Sequence, residues 1–541
     1  MFMFGNGLLS LKRVIGSILV AVLSLGYSLG LSFDFQGVYY DKSSVVTYCF
    51  YDSTHKIDKK EFLGKTKTYD IKLARNEYEA CQIAIRSKFN SPSRKYTIEF
   101  TQFKNESGDV LESAVFEEKY ITCVSDKNYG TYPDALIPFT SGEQRNLGYA
   151  QNWPFYIRVR ADENTPAGTY SAQITVKSLS DGDKVQLVAD VTATVWDFDL
   201  PVTPSCETAF GLSRYNIAKT YYTQGNPERE QELYEKYYEF LLDHKISPYG
   251  LPVDILSSEA DAYMSDPRVT SFLIPYPASD DALSDYYQKV RSNPEWAAKG
   301  YFYPIDEPGG LEAYGKYTAI TDRLARVCPG YNMVTPANMA SFKEDGKTYY
   351  TTELQAGRSN ILCGISDIFA KDSFLKQVDE RRADGTKIWW YVCCGPQDDY
   401  CNIFIHFEGI KGRLLLWQQK ERDITGLLYW DTTFWRDVIS PWGDALTTPW
   451  TGNTAFGDGS LMYPGQDGPV TTLRLEEVSD GIDDYEYLTI AEELFGKEYI
   501  DKKIAKLTNT MTDYTLNDSL LTKVRAEIGG DIERELSGTV R

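Results

Sequence analysis

The hydrophobic period of this chain changes near residue 200, and that change limits its fold more than any other feature. From about residue 35 to 200 apolar residues recur at every second position. Tyr170, Ala172, Ile174 and Val176 share one face, and beyond Asp181-Gly182 so do Val185, Leu187, Ala189, Val191, Ala193 and Val195. Alternation on both sides of an Asp-Gly pair predicts a β-hairpin with one buried face. Cys81–Arg86 and Tyr156–Arg160 repeat the style, so an antiparallel β-sandwich is expected. The stretch Leu200-Pro-Val-Thr-Pro204 breaks the pattern. Beyond it apolar strands alternate with helical stretches. Asn226-Pro227, followed by Glu228 and Glu230, reads as a helix start, with Leu233, Tyr237, Phe240 and Leu241 on its apolar face. Eight candidate strands lie near 208–214, 248–253, 270–276, 300–306, 331–336, 360–365, 387–394 and 425–431. Their span of about 240 residues is close to the roughly 250 of a (β/α)8 barrel. The expected fold is therefore multidomain, β and α/β. An N-terminal antiparallel β-sandwich at 33–203 precedes a (β/α)8 TIM-type barrel at 204–497, and 498–541 form a C-terminal tail of short polar helices.

The first 32 residues read as a signal peptide. Lys12 and Arg13 precede the uncharged run Val14 to Leu25, and small residues follow at Ser28, Gly30 and Ser32. A membrane span needs about 20 apolar residues. The expectation is a secreted or envelope-associated chain with no stable span after signal removal, an uncleaved N-terminal anchor being the alternative. Lys and Arg number 56 against 77 Asp and Glu, a net charge of −21, which disfavours a nucleic-acid partner. Nine cysteines show no CxxC pair, and three dispersed histidines form no HExxH. No metal and no organic cofactor is expected. The sequence carries no signal for oligomeric state.

The fourth candidate strand ends in two adjacent acids, Tyr301-Phe-Tyr-Pro-Ile-Asp306-Glu307-Pro308-Gly309-Gly310. Pro308 biases Glu307 toward extended angles and stops the ladder. Barrels of this type carry their chemistry at the C-terminal ends of strands. Glycoside hydrolysis needs an acid to protonate the leaving oxygen and usually a second carboxylate across the sugar ring. Neighbouring residues cannot easily straddle a ring. They suit a mechanism in which the substrate's 2-acetamido oxygen attacks the anomeric carbon, one acid protonating the leaving group and the other stabilising the acetamido N–H. Aromatic residues gather near later strand ends: Trp389 and Tyr391 on one face with Trp390 on the other, then Trp430, Asp431 and Trp435. Rings of this kind stack on pyranose C–H faces and hold an acetamido methyl. The plainer reading is that half of them fill the core.

These residues resemble glycoside hydrolase family 123, β-N-acetylgalactosaminidases with an N-terminal β-sandwich and a catalytic barrel. The resemblance runs from about residue 35 to 496. It rests on Tyr303-Pro-Ile-Asp306-Glu307-Pro308, Trp389-Trp-Tyr-Val-Cys-Cys-Gly-Pro396, Gly426-Leu-Leu-Tyr-Trp430 with Trp435, and Gly457-Asp-Gly-Ser-Leu-Met-Tyr-Pro-Gly465 continuing to Leu473–Leu475 and Asp480–Leu488. It implies a retaining, exo-acting, substrate-assisted hydrolase of terminal β-linked 2-acetamido sugars, with Glu307 as general acid/base and Asp306 as the acetamido partner. Tyr303, Trp390, Tyr391, Trp430, Asp431 and Trp435 are the substrate-binding candidates. Arg474 and Asp480–Tyr487, like Arg413 and Trp417, are expected to close the fold rather than touch sugar. Two rival readings stand beside this one. The first is a conventional retaining glycosidase with a separate carboxylate nucleophile, for which Asp431 is the strand-end candidate. The second is a non-catalytic carbohydrate-binding envelope protein.

Overall fold

The computed structural model describes residues 32–34, 37–39, 46–87, 94–124, 129–148, 151–435, 442 and 454–538. The signal-peptide reading, apart from Ser32, lies outside them. Among the described residues no helix is long and apolar enough to cross a membrane. The chain divides into two units, residues 1–118 with 137–197 and residues 119–136 with 198–541.

The first unit is built on antiparallel strands. Gly168–Ser178 runs antiparallel to Lys184–Asp199, with Gly182 at the corner at φ 65°. Tyr170, Ala172, Ile174 and Val176 are buried, as are Leu187, Ala189, Val191, Ala193 and Val195. Val185 departs from the expected face and is 46% exposed. Val176 sits opposite Leu187 but Lys177 opposite Val185, which leaves Gln186 as an extra residue. One extra residue reverses the in-out alternation beyond it. Asn152–Ala161 pairs with Glu77–Ser87, which pairs in turn with Val46–Asp52. The sheet curls so that Ile83, Ile85, Phe155 and Ile157 share one core with Ile98, Tyr170, Ile174 and Val191. Burying each aliphatic side chain of that core contributes about 1.5–3 kcal/mol.

The second unit is α/β. Five parallel strands lie in the order Glu207–Phe210, Gly426–Tyr429, Lys387–Val392, Ile361–Ile365 and Val334–Ala337. Parallel contacts continue past the last of these. Phe302 bridges Met333, and Gly300–Tyr301 pairs with Phe272–Leu273. The Leu273 amide donates to the Tyr249 carbonyl at 2.7 Å, the Tyr249 amide donates to the Phe210 carbonyl at 2.7 Å, and Phe210 bridges Pro248. Following these contacts leads through eight segments back to the first. One apolar cluster draws on all eight: Ala209, Tyr249, Leu273, Tyr301, Val334, Ile361, Trp389 and Leu428 each supply a side chain.

Helices form where the caps direct. Pro227–Asp243 starts at Asn226, whose side chain accepts from the Arg229 amide, and it buries Leu233, Tyr237 and Leu241. Phe240 is only half-buried, because Tyr234 and Tyr238 complete the inner face. The helix Leu473–Phe495 is buried along most of its length, and two of its acids, Asp480 and Asp484, are paired within the unit. Arg413 donates to Asp484 at 2.7 Å and to Asp480 at 3.1 Å, and the Trp417 indole donates to Asp484 at 2.7 Å. The tail is more ordered than its polarity predicts. A 21-residue helix, Asp518–Gly538, buries Leu521, Val524, Ile528 and Ile532 at helical spacing, and its Arg525 pairs with Asp484.

Arg474 is fully buried. It makes a two-pronged contact with Asp134, at 2.7 and 3.0 Å, and donates to the carbonyls of Gly457 and Ser460 at 3.0 and 2.6 Å. Removing one partner of such a pair leaves a buried charge uncompensated, at a loss of about 3–5 kcal/mol. Arg474→Met should show that loss in urea unfolding, and the double variant with Asp134→Leu should recover part of it. A single-variant loss below about 1 kcal/mol would mean that the pair is solvated like a surface bridge.

Candidate active site

The strand Gly300–Tyr301 feeds directly into Phe302-Tyr303-Pro304-Ile305-Asp306-Glu307, and Gly310 at φ 82° opens the helix Gly310–Val327. The Leu311 amide at that helix start donates to Glu344 Oε2 at 2.7 Å. Both acids therefore sit in the turn between a strand end and a helix N-terminus. Asp306 is exposed and Glu307 is half-buried.

Each acid has its own phenol. Tyr303 Oη donates to Asp306 Oδ1 at 2.7 Å, and Tyr391 Oη donates to Glu307 Oε1 in a short contact. Asn338 Nδ2 donates to Glu307 Oε2 at 2.9 Å. Burial, then the neighbouring Tyr249 and Asp306, push the Tyr303 phenol far above its usual range; burial and then Glu307 do the same for Tyr391. Both phenols are hydrogen-bond donors at any working pH. Tyr303 packs edge-on to Tyr249, with ring centroids 6.0 Å apart.

Glu307 lies at φ 39°, in the left-handed region rather than at the extended angles that Pro308 alone would favour. Non-glycine residues are held there only when surrounding contacts over-determine them. The contacts here are Tyr391 and Asn338, brought from the strand Lys387–Val392 and from the residue after Val334–Ala337.

Trp430 is half-buried at the end of Gly426–Tyr429, on the strand beside the one carrying Tyr391. Its indole donates to Asp458 Oδ1 at 2.9 Å, and Phe434 packs edge-on at 4.7 Å. A Cβ at Gly459 would fall 2.3 Å from the indole, so only glycine admits the ring in this position.

The remaining candidates are placed elsewhere. Trp390 is fully buried, packs on Phe369 and donates to Gln419 at 2.7 Å; alternation along its strand turns it away from the face of Trp389 and Tyr391. Trp435 is buried too, against Tyr237, and donates to the Met462 carbonyl at 2.8 Å. The structure brings neither ring to the acids. Asp431 is buried; its Oδ1 accepts from the amides of Thr432 and Thr433 in its own loop at 2.8 and 2.9 Å, and its Oδ2 accepts from Asn216 Nδ2 at 3.4 Å. Asn338 escaped the sequence reading, although it lies two residues beyond the candidate strand 331–336. Among the described residues no group of three or more His, Cys, Asp or Glu is arranged to hold a metal.

Asp458 is 1% exposed, and its Oδ2 has no hydrogen-bond partner. Burial raises its carboxyl to about 6, and burial raises Asp431 to about 6 as well. A carboxyl raised in the folded state takes up a proton on folding between about pH 4 and 6. Its contribution to stability is present at the acid end of that window and is lost as pH rises through the folded value. The difference in unfolding free energy between the parent and Asp458→Asn should therefore change between pH 5 and pH 7, the parent gaining on acidification. A constant difference across that range would show that Asp458 does not titrate there.

Residues 281–491 match the family model described as glycoside hydrolase 123, catalytic domain. A solved family 123 glycoside hydrolase from Clostridium perfringens, described in a study of glycolipid glycan hydrolysis, is 14% identical. The match covers 92% of this chain and 100% of that one, with a TM-score of 0.67, which establishes a shared fold. A putative β-galactosidase from Bacteroides fragilis is 9% identical over 81% of this chain and 60% of that one, with a TM-score of 0.29. No curated protein sequence matches the chain.

Proposed function

We propose that this chain, whose residues 281–491 match the glycoside hydrolase 123 catalytic-domain model, is a retaining, exo-acting hydrolase that releases β-linked N-acetylgalactosamine by substrate-assisted catalysis. It works on a (β/α)8 barrel that follows an N-terminal β-sandwich. The circuit of parallel contacts through eight segments, with one cluster fed by all of them, supports the barrel. Residues 1–32 would export the chain.

The observation that carries the reading is the pairing of two adjacent carboxylates, each with its own phenol, at one strand end. Side by side, they act on one side of a sugar ring and leave the other to the substrate. Glu307 protonates the glycosidic oxygen as the C1–O bond breaks. The acetamido carbonyl oxygen attacks C1, and Asp306 accepts a hydrogen bond from the acetamido N–H, whose positive charge grows as the oxazoline ring closes. Glu307, now a carboxylate, takes a proton from the water that reopens the ring, and two inversions at C1 give net retention. Trp430 offers a stacking face for the sugar.

The test is hydrolysis of 4-nitrophenyl β-N-acetylgalactosaminide beside the β-N-acetylglucosaminide and the plain β-galactoside. Release from the first alone fits the proposal. Release from the plain galactoside at a comparable rate would refute the acetamido role. It would point to the conventional mechanism, for which Asp431 would have to act through Oδ2, since Oδ1 is held by its own loop.

A further inference from the structure

All nine cysteines are thiols, and seven are buried; only Cys393 and Cys394 are partly exposed. These two are neighbours in sequence, their Sγ atoms are 3.9 Å apart, and they directly follow the strand Lys387–Val392. Their backbone is anchored. Asn402 Nδ2 donates to the Cys393 carbonyl at 3.0 Å, Gln397 Nε2 to the Cys394 carbonyl at 2.9 Å, and the Cys393 amide to the Gly395 carbonyl at 2.8 Å. Cys393 lies two residues beyond Tyr391 and packs against the cluster that holds Tyr391, Tyr303 and Tyr249.

We propose that Cys393 and Cys394 are a modification site, a vicinal pair that an organic disulfide closes reversibly into an eight-membered ring beside the acid pair. Closure needs the sulfurs to approach from 3.9 Å to about 2.05 Å. With the backbone pinned, side-chain rotation supplies the movement. Adjacent Cα atoms lie about 3.8 Å apart, less than the 4.4–6.8 Å of ordinary disulfides. Such a bond is strained and easily reduced, the character of labile rather than structural bridges. The chemistry is two exchanges. One cysteine thiolate attacks a sulfur of the small disulfide, breaking its S–S bond and releasing one thiol. The second cysteine then attacks the mixed disulfide and releases the other. Two protein thiols are oxidised, one small disulfide is reduced to two thiols, and both protons leave with them. Closure draws the Cys393 sulfur toward Cys394 and out of the tyrosine cluster, so Tyr391 loses its neighbour and its hold on Glu307 slackens.

The experiment takes the reduced full chain, treats it with oxidised glutathione, quenches and alkylates it under denaturing conditions, and maps it by mass spectrometry. The expected product carries seven alkylated cysteines and a Cys393–Cys394 peptide about two mass units light. The arsenical phenylarsine oxide, which needs two close thiols, should bind once per reduced chain and not to Cys394→Ser. In the same samples hydrolysis should fall about ten- to a hundredfold, the order expected when a positioning contact shifts by an ångström. It should return with dithiothreitol, and Cys394→Ser should keep its activity throughout. Nine alkylated cysteines after treatment would overturn the site. A closed pair with unchanged hydrolysis would overturn its coupling to Tyr391. The hydrolysis readout rests on the proposed function and the mass readout does not, so a chain inactive on every glycoside would refute that function while the thiol chemistry is judged separately.

Discussion

Glu307→Gln should lower turnover on acetamido sugars with alkyl or sugar leaving groups by about 10²–10⁴-fold, the usual worth of a general acid. A 4-nitrophenolate leaves without a proton, so on aryl glycosides the loss should be much smaller and should shift to the ring-opening step. Added azide needs no general base and should restore the aryl rate, giving a β-glycosyl azide. The variant keeps the Tyr391 and Asn338 contacts in altered form, because an amide still offers one acceptor oxygen. Initial rates on paired aryl and alkyl substrates decide the matter. Equal losses on both would remove Glu307 from the acid role.

Asp306→Asn should cost about 10²–10³-fold in kcat whatever the leaving group, because it removes the negative charge that faces the acetamido N–H as the oxazoline forms. The two variants therefore separate by leaving-group dependence, steep for Glu307 and flat for Asp306. Asp306 is exposed and accepts a hydrogen bond from the Tyr303 hydroxyl, so Asp306→Asn should unfold at nearly the parental temperature. Parental activity on acetamido sugars would refute the assignment. A large drop in melting temperature would make the role structural.

Much of the fold is readable from local periodicity because one face of each element is buried. The hairpin at Gly168–Asp199, the Asn226 cap and the strand carrying the acids all follow from neighbouring residues. Val185 does not, since a bulge at Gln186 is invisible to a count of alternation. Parity along Lys387–Val392 separates Tyr391 from Trp390 correctly, but no local pattern says whether a strand-end ring such as Trp435 turns to solvent or to core. The contact between Asn338 and Glu307 joins residues 31 positions apart. It depends on the parallel bridge at Phe302 and Met333, a tertiary event with no sequence signature of its own. The extended angle that Pro308 favours for Glu307 is likewise overridden by tertiary partners.

The left-handed backbone at Glu307 has a consequence for selection. Glycine occupies such angles freely, and relief of a strained non-glycine residue is worth about 1 kcal/mol or more. Directed evolution scored on thermal tolerance alone would therefore have no reason to keep the carboxylate at position 307 and would tolerate inert proteins. The carboxylate persists only where selection reads turnover, so stability and catalysis pull this one residue in opposite directions.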